Sequence, residues 1–308
     1  MRQTALDMVY KLAKRDPRVV FIGSDLGVGT LAKFKAEMPE RFFMEGVSEQ
    51  NVIGMAAGLA MDGFIPYINT IATFLTRRCY EQVAIDLCLH KLPVRLLASG
   101  GGVVYAPLGP THLAVEDMGI MRALPNMTVV APSDAQEMTR FMDASLDIPG
   151  PVYVRFGKGG DPVISRDEPF RLGLAVPHRT GGDIALLCTG VMGSRCLAAA
   201  DILAERGIAA SVTHFPTVKP LDQAMVAELA TTAKLMVTVE EHLPSGALGS
   251  AVAEMLAERG SGPRLLRLAL ADAFTRNYGS QDDLLTLAGL DAAGIAASVT
   301  GATGGGRT

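Results

Sequence analysis

The sequence predicts an α/β fold with two domains, each built around a parallel sheet. Short runs rich in β-branched and aromatic residues alternate with segments of helical length over the first 156 residues, and a second series of this kind begins at residue 184. Alternating strands and helices are typical of parallel sheets covered by helices. Between the two series, residues 161–182 are rich in glycine, proline and charge, which indicates a linker between the domains.

The first domain is predicted over residues 1–160. It opens with an amphipathic helix at residues 1–10. The strand-forming runs that follow are short and are separated by segments long enough for helices, which is the pattern of a parallel sheet. These strands are predicted at residues 19–22, 42–44, 65–68, 94–97, 128–130 and 152–154.

The second domain is predicted over residues 183–300, again with alternating strands and helices. The strands are expected at residues 184–187, 210–213, 235–239 and 265–268, and the helices at 193–206, 222–230 and 247–259. The last residues, 301–308, are mostly glycine and threonine and cannot bury apolar surface. We therefore expect a flexible tail there.

Composition narrows the functional classes. The chain has 308 residues, of which 49% are hydrophobic and 19% are charged, so it can bury sizeable cores. Its net charge of −4 and its lack of a Lys/Arg cluster argue against a nucleic-acid surface. We expect no membrane span, because no apolar run approaches the ~20 residues that one needs. The N-terminal residues lack the pattern of a secretion signal, so we expect the protein in the cytoplasm.

The four cysteines are scattered and form no Cys-x-x-Cys pair, so neither a zinc site nor a disulfide framework is predicted. We expect them to be buried apolar residues. They are Cys79, Cys88, Cys188 and Cys196.

A single acid stands at the junction of a predicted strand and a helix of small residues. Glu49 follows Ser48, and the helix continues through Gly54 and Gly58. Ser48 is suited to cap the helix, and an acid in the first turn is favoured by the helix dipole. The glycines would let another backbone approach closely. Taken alone, this pattern predicts no more than a capped helix.

Further motifs follow in a fixed order. They lie at residues 73–82, 92–95, 109–112, 131–134, 152–157, 189–190, 215–222, 239–242 and 246–250. With these motifs the chain resembles the C-terminal half of transketolases and deoxyxylulose-phosphate synthases, above all the separate second subunit of split transketolases. The resemblance extends to about residue 300. It implies a thiamine-diphosphate-binding domain of the pyrimidine type, followed by a transketolase C-terminal domain.

The resemblance implies a pocket for the aminopyrimidine ring of thiamine diphosphate. Glu49 matches the acid that hydrogen-bonds the pyrimidine nitrogen and favours the tautomer that activates the cofactor. Phe74 matches the aromatic residue that stacks on this ring, although core packing is an alternative for a single phenylalanine. Arg77 and Tyr80 are expected to line the pocket, and for Arg77 a solvated charge on a helix face is an equal alternative.

The resemblance also implies substrate contacts. His112, at the end of Gly109-Pro110-Thr111-His112, matches a histidine that faces the substrate carbonyl and hydroxyls, where an imidazole can donate a hydrogen bond or carry a proton. The alternative is a structural histidine in a loop. Arg155 corresponds to an arginine that binds a sugar phosphate. An ion pair at a strand end is the alternative for Arg155.

Two departures from the family pattern concern the substrate. Leu108 stands where transketolases usually have an aspartate that contacts a donor hydroxyl, and an apolar side chain cannot replace that hydrogen bond. Ser99 begins the stretch, continued by Gly100-Gly101-Gly102, where relatives carry a phosphate-binding histidine or arginine. We therefore predict a pocket, shaped by Tyr105, Leu108 and these glycines, for a less hydroxylated or unphosphorylated substrate.

The residues that would hold the diphosphate are missing. Thiamine enzymes bind Mg²⁺ and diphosphate through a Gly-Asp-Gly motif, which this sequence lacks. The resemblance therefore implies a partner subunit of the N-terminal transketolase type that carries this motif and holds Mg²⁺, with two copies of each subunit in the complex. No metal ligand is assigned to this chain. The implied reaction transfers a two-carbon ketol unit from a ketose to an aldehyde.

Other functions stay open on the sequence. They are the β subunit of a 2-oxo acid dehydrogenase's decarboxylating component, a deoxyxylulose-phosphate-synthase-like enzyme, and a noncatalytic scaffolding or regulatory subunit. The segment Gly27-Val28-Gly29-Thr30-Leu31-Ala32 matches a dinucleotide pattern, but residues 24–26 separate it from the preceding strand, which argues against NAD. His242, in Glu240-Glu241-His242, is interpreted as part of the scaffold.

Overall fold

A computed structural model describes residues 1–24 and 31–304 and has the two predicted α/β domains. The first sheet contains six strands from the first domain, which pair in parallel in the order β5-β6-β4-β3-β1-β2. All six predicted strands are confirmed. They are β1 (Val19–Gly23), β2 (Phe42–Met44), β3 (Ile65–Ile71), β4 (Arg95–Ser99), β5 (Thr128–Val130) and β6 (Val152–Phe156).

Helices cover both faces of this sheet. The first is the predicted amphipathic helix, which extends further than expected and buries Leu6, Val9 and Leu12 on its inner face. The helices are α1 (Arg2–Arg15), α2 (Ala32–Glu37), α3 (Glu49–Met61), α4 (Ala72–Thr76), α5 (Tyr80–Gln82), α6 (Asp117–Ala123) and α7 (Ala135–Ala144), and 3₁₀ turns lie at Arg77–Cys79 and Ala106–Leu108.

The second sheet has the strand order β12-β11-β8-β9-β7 within the described residues. Its parallel strands and the helices beside them match the predicted series to within a few residues. The strands from this half of the chain are β7 (Val176–Arg179), β8 (Ile184–Cys188), β9 (Ala210–His214), β10 (Thr217–Lys219), β11 (Leu235–Val239) and β12 (Arg264–Leu268), and the helices are α8 (Met192–Glu205), α9 (Gln223–Thr232), α10 (Leu248–Arg259), α11 (Gln281–Leu287) and α12 (Ala292–Gly304).

Two strands depart from the predicted organisation. β7 lies inside the predicted linker of residues 161–182 and pairs antiparallel with β9. β10 leaves the second domain and pairs antiparallel with β5 at the edge of the first sheet. Both sheets are therefore mixed at one edge. Such short edge strands give little sequence signal, because neither joins a strand–helix–strand repeat.

The predicted tail begins later than expected. Helix α12 continues to Gly304, and the hydroxyls of Thr300 and Thr303 hydrogen-bond to carbonyls one turn earlier, at Ala296 and Val299. Expecting a tail from residue 301 is therefore wrong for residues 301–304, whose glycine content is offset by these bonds and by continuity with a buried helix. Residues 305–308 lie outside the described part of the chain, as do residues 27–30 of the dinucleotide-like pattern.

Within the described residues, one segment, Gln281–Thr303, is long and apolar enough to cross a membrane by length and composition alone, with a mean hydropathy of 1.4 over an 18-residue window. In the fold it is divided between α11 and α12, and Leu285, Ile295 and Val299 are buried in the core of the second domain. The segment is thus interrupted before it reaches the ~20 helical residues of a span.

Apolar packing places the end of one helix at the sheet edge. Helix α3 buries Val52, Ile53 and Ala56 in a core cluster that also contains Ile22 of β1 and Ile68 of β3. This packing brings the N-terminus of α3 to the carboxyl ends of both strands. In open parallel sheets this edge is where ligands bind.

All four cysteines are free thiols and buried, as predicted. Burial raises the pKa of the Cys79 thiol to about 12 and that of the Cys88 thiol to about 11. These thiols are therefore uncharged at neutral pH and poorly reactive.

Candidate functional site

Glu49 is the first residue of α3, and its side chain is only 1% exposed. One carboxylate oxygen, Oε2, lies 2.7 Å from Nη1 of Arg78. The other, Oε1, lies 3.3 Å from the hydroxyl of Ser24, which in turn lies 2.7 Å from the hydroxyl of Thr70. A buried carboxylate is thus held between a cation and a hydroxyl at the carboxyl ends of β1 and β3.

Ser48 does not cap the helix through its side chain, which corrects the prediction. Its hydroxyl donates instead to the carbonyl oxygen of Glu45 at 2.8 Å. The chain turns sharply between β2 and α3, so the hydroxyl faces back toward the turn. The predicted position of Glu49 in the first helical turn is confirmed.

Phe74, on α4, faces the same space as Glu49. The guanidinium carbon of Arg78 lies 4.1 Å from the centroid of its ring. The ring of His112 lies edge-on, with its centroid 5.4 Å from that of Phe74. Phe74 is half-buried and is not among the buried residues of the core clusters. The structure therefore brings Glu49, Phe74 and His112 into one cluster, with Arg78 between the first two.

His112 is oriented by its neighbour. The hydroxyl of Thr111 lies 2.9 Å from Nδ1 of the imidazole, which leaves Nε2 as the nitrogen not engaged by this contact. The tautomer follows from whether the hydroxyl donates or accepts.

The resemblance names Arg77 as a candidate for the pocket, whereas the structure places Arg78 beside Glu49. Arg77 turns the other way, forming an ion pair with Glu116 and donating to the carbonyl of Leu113 at 3.0 Å. The two arginines share a 3₁₀ turn, in which successive side chains point about 120° apart. Two adjacent arginines therefore cannot both face the Glu49 cluster, and only the geometry selects between them.

Tyr80 and Ser99 are also turned away from the cluster. The hydroxyl of Tyr80 donates to the carbonyl of Ile120 at 2.9 Å, and its ring packs against the core beneath the sheet. Ser99 is buried at the end of β4, where it donates to the carbonyl of Thr70 and accepts from Asn69, each at 3.1 Å. Both hydroxyls are hydrogen-bonded within the fold, so neither points into the Glu49 cluster.

Arg155 is held in an ion cluster between the domains. Its side chain is 6% exposed, its Nε lies 3.1 Å from a carboxylate oxygen of Asp117, and its Nη2 donates to the carbonyl of Glu241 at 2.5 Å. The adjacent cavity has a volume of about 10 Å³, close to that of a single water site. The ion pair at a strand end, the alternative named for Arg155, is therefore the arrangement present, and a bound phosphate would require this cluster to open.

The three glycines after Ser99 make room for protein side chains. A Cβ at Gly100 would meet the ring of Tyr105 at 2.0 Å, one at Gly101 would meet Arg155 at 2.3 Å, and one at Gly102 would meet the carboxyl of Glu241 at 2.3 Å. The prediction that these glycines and Tyr105 shape a substrate pocket is therefore not supported by their contacts. Their absent side chains leave room for Tyr105 and Arg155 of the same domain and, at Gly102, for Glu241 of the second domain.

Leu108 remains at the surface. It ends the 3₁₀ turn before the Gly-Pro-Thr-His motif and is 52% exposed. Gly109 follows with a φ of +75°, and the ring of Tyr278 from the second domain lies where a Cβ would be, at 2.8 Å. An exposed apolar residue and an aromatic ring thus flank the motif that carries His112.

His242 connects the two domains. Its Nδ1 lies 2.8 Å from its neighbour's carbonyl at Leu243, and its Nε2 accepts from the backbone N–H of Gly119 at 3.1 Å. Both ring nitrogens are used in these bonds, which agrees with the interpretation of His242 as scaffold.

The cluster fits a planar ring that carries hydrogen-bond donors. In this structure a planar cation already lies on the face of Phe74 and donates to Glu49, so both the spacing and the charge suit such a group. Among residues 1–24 and 31–304, no group of three or more His, Cys, Asp or Glu side chains is placed to hold a metal ion. These features define a two-domain α/β protein with a candidate cofactor site at the carboxyl edge of its first sheet.

Comparison with known proteins identifies the family. Residues 1–160 match the transketolase pyrimidine binding domain, and residues 173–295 match the transketolase C-terminal domain. The transketolase C-terminal section of Methanocaldococcus jannaschii is 36% identical over 300 residues, which cover 96% of this chain and 94% of that protein. The chain belongs to the transketolase family, whose enzymes depend on thiamine diphosphate.

Two further relatives define which part of a transketolase the chain resembles. The 1-deoxy-D-xylulose-5-phosphate synthase 1 of Geobacter sulfurreducens is 39% identical over 297 residues, covering 95% of this chain but 46% of that protein. The chain thus spans about half the length of such relatives. A solved structure described as a split gene transketolase, inactive beta4 tetramer, is 35% identical to this chain and has a TM-score of 0.91. The match covers 99% of each of the two chains. The resemblance and the fold class predicted from the sequence are confirmed.

Proposed function

We propose that this chain is the aminopyrimidine-binding subunit of a thiamine-diphosphate enzyme that transfers a two-carbon ketol unit from a ketose to an aldehyde. The observation that supports it is the cluster of Glu49, Phe74 and His112 at the carboxyl edge of the first sheet. These residues are far apart in sequence but meet at this edge, and their motifs follow one another along the chain in the order of the family pattern. When bound, thiamine diphosphate supplies the nucleophilic carbon of such a reaction.

Each residue of the cluster has a proposed role. The buried carboxylate of Glu49 accepts a hydrogen bond from the pyrimidine ring, and low local polarity strengthens that bond. The ring of Phe74 stacks on the pyrimidine and excludes water from one face. His112, fixed through Nδ1 by Thr111, exchanges a proton with a substrate oxygen through Nε2.

A partner subunit is part of the proposal. The chain lacks Gly-Asp-Gly, and we propose that a second subunit carrying this motif binds the diphosphate and Mg²⁺, with two copies of each subunit in the complex. The name of the structurally similar split gene transketolase, which describes an inactive tetramer of β chains, supports this requirement by analogy.

The proposed substrates differ from the usual sugar phosphates. Leu108 offers no hydrogen bond to a donor hydroxyl, and Arg155 is engaged by Asp117 and Glu241. We therefore propose an unphosphorylated or less hydroxylated substrate. A second candidate is a synthase of the deoxyxylulose-phosphate type, supported by the 39% identity to such an enzyme. A normal rate with xylulose 5-phosphate would contradict the first candidate's substrate class.

The test begins with the chain purified gently from its native host, so that companion proteins and bound small molecules can be identified by mass spectrometry. With the partner in hand, Glu49→Gln should lower kcat by roughly 10²–10⁴-fold, the range for lost acid–base catalysis. Glu37→Gln, at an exposed acid that contacts Tyr10 and Lys14, is the matched control and should leave kcat unchanged. Unchanged activity of Glu49→Gln in the complex would leave no catalytic role and would favour a scaffolding subunit.

A further inference from the structure

The guanidinium of Arg78 fills the space between Glu49 and Phe74. Its Nη1 donates to Glu49 at 2.7 Å, and its central carbon lies 4.1 Å from the ring centroid of Phe74. The first contact is a charge-assisted hydrogen bond and the second is a cation–π interaction. One planar cation therefore satisfies both the buried acid and the aromatic face.

These are the two contacts that the proposed function assigns to the aminopyrimidine ring. An aminopyrimidine is also planar, also donates from nitrogen and also stacks on an aromatic face. Two such groups cannot occupy one face of Phe74 and one oxygen of Glu49 together, because stacked planes need their own van der Waals space. The side chain and the ring would have to exchange places.

The backbone of Arg78 is held in place, whereas its side chain is partly exposed to solvent. Its backbone carbonyl accepts from the side-chain amide of Gln50 at 3.0 Å, which ties the turn to α3. Its side chain is 41% exposed, so rotation about its own torsions leads directly to solvent. Arg77 differs, because its guanidinium is bound by both Glu116 and the Leu113 carbonyl.

We propose that Arg78 is a displaceable occupant of the aminopyrimidine site, which neutralises Glu49 until a ligand takes its place. This inference rests on the proposed function. In the absence of a ligand, the guanidinium of Arg78 compensates the charge of Glu49, because a buried carboxylate without a partner destabilises the folded protein. Displacement of Arg78 also implies that the ligand binds more weakly, because its binding must break the contacts of Arg78 with Glu49 and Phe74.

The first test measures binding to the full-length chain by calorimetry, with 4-amino-5-hydroxymethyl-2-methylpyrimidine as the probe. Removing the competing contacts in Arg78→Ala and Arg78→Leu should tighten binding about tenfold, the combined scale of one cation–π contact and one charged hydrogen bond at a half-exposed position. Arg78→Lys keeps a charge near Glu49 but lacks a planar group, so it should lie between these variants and the wild type. Arg122→Gln, whose partner is Glu254 on the surface, is the matched control.

The second test follows Arg78 itself. Phenylglyoxal modifies free guanidinium groups, and peptide mass spectrometry reports the rate at each arginine. Saturating probe should accelerate modification of Arg78 while leaving Arg122 unchanged, because the displaced side chain moves into solvent. Slower modification would mean that the ring covers Arg78 in place, and an unchanged rate would mean that the two do not compete; either result overturns the proposal.

The outcomes also separate this inference from the proposed function. If wild type binds the probe and the Arg78 variants bind it equally or more weakly, Arg78 is not a competitor, while the cofactor site stands. If neither the chain nor its complex binds the probe or thiamine diphosphate, the proposed function fails and this inference fails with it. Loss of probe binding in Phe74→Ala, with tighter binding in Arg78→Ala, supports both.

Discussion

A buried pair between the two domains makes stability depend on pH in a predictable way. Glu137 of α7 and His214 of β9 face each other with 3.0 Å between Oε2 and Nε2, and both side chains are almost fully buried. Burial lowers the pKa of His214, but the facing Glu137 carboxylate and the Cys188 side chain together outweigh it and raise the pKa to about 10. The pKa of Glu137 is lowered, since His214 and nearby N–H and O–H donors outweigh its burial. The pair is therefore ionised over a wide range around neutral pH.

The perturbation is Glu137→Gln, which leaves the imidazole buried without its counter-charge. Breaking a buried ion pair by removing one partner typically costs about 3–5 kcal/mol. Because His214 has a raised pKa in the folded state, its contribution is fully present below its unfolded pKa of about 6.5. It is lost as the pH rises toward about 10. Glu137 has a lowered pKa, so its contribution is present above its unfolded value and is lost as the pH falls.

The assay is urea unfolding followed by circular dichroism at several pH values between 5 and 10. Wild-type stability should decline on the alkaline side, and Glu137→Gln should lower the free energy of unfolding at pH 7 and remove most of this decline. Glu254→Gln, which breaks the exposed pair with Arg122, should cost under about 1 kcal/mol. A cost below 1 kcal/mol for Glu137→Gln, with the alkaline slope intact, would refute the assignment of charge to this pair.

Two further predictions follow from buried contacts. Arg95 is fully buried and donates to the carbonyls of Ser145, Ile148 and Gly150 at 2.6–2.8 Å. Arg95→Met should therefore lower the free energy of unfolding in urea by about 3–5 kcal/mol, because three carbonyls lose their donors. A cost near zero would show that water replaces the guanidinium. Gly102→Ala should lower the free energy of unfolding by more than about 2 kcal/mol, since the φ of Gly102 is +68° and the new Cβ meets Glu241. The control Gly260→Ala, at a φ of +73° with open space around it, should cost only about 1 kcal/mol. Equal costs for the two variants would exclude the clash at Gly102.

The sequence was informative wherever function depends on a local pattern. The alternation of strands and helices predicted the parallel strands, and the family resemblance carried by the motifs placed Glu49, Phe74 and His112 in one site, where the fold brings them together. Hydrophobic periodicity and motif order can be read from the sequence alone, because they do not depend on which distant residues come into contact in the fold.

The sequence left alternatives open where a neighbour from elsewhere in the chain decides a side chain's direction. Arg77 and Arg78 are equivalent in sequence, and Glu116 selects which one leaves the cluster. Arg155 is engaged by Asp117 and by Glu241 from the other domain, which no local pattern reveals. The glycines before the Gly-Pro-Thr-His motif likewise gain their meaning from side chains that pack over them.

Strand β10 has a consequence for how the two domains move relative to each other. It follows β9 of the second sheet after two residues and hydrogen-bonds to β5 of the first, so rotation of one domain against the other would break a ladder rather than bend a linker. A fragment ending at residue 160 would leave β5 as an open edge, a template for association with other chains. The carboxyl edge of the first sheet and the loop of Tyr278 therefore keep their separation, and the proposed partner subunit would meet a preformed surface instead of closing a hinge.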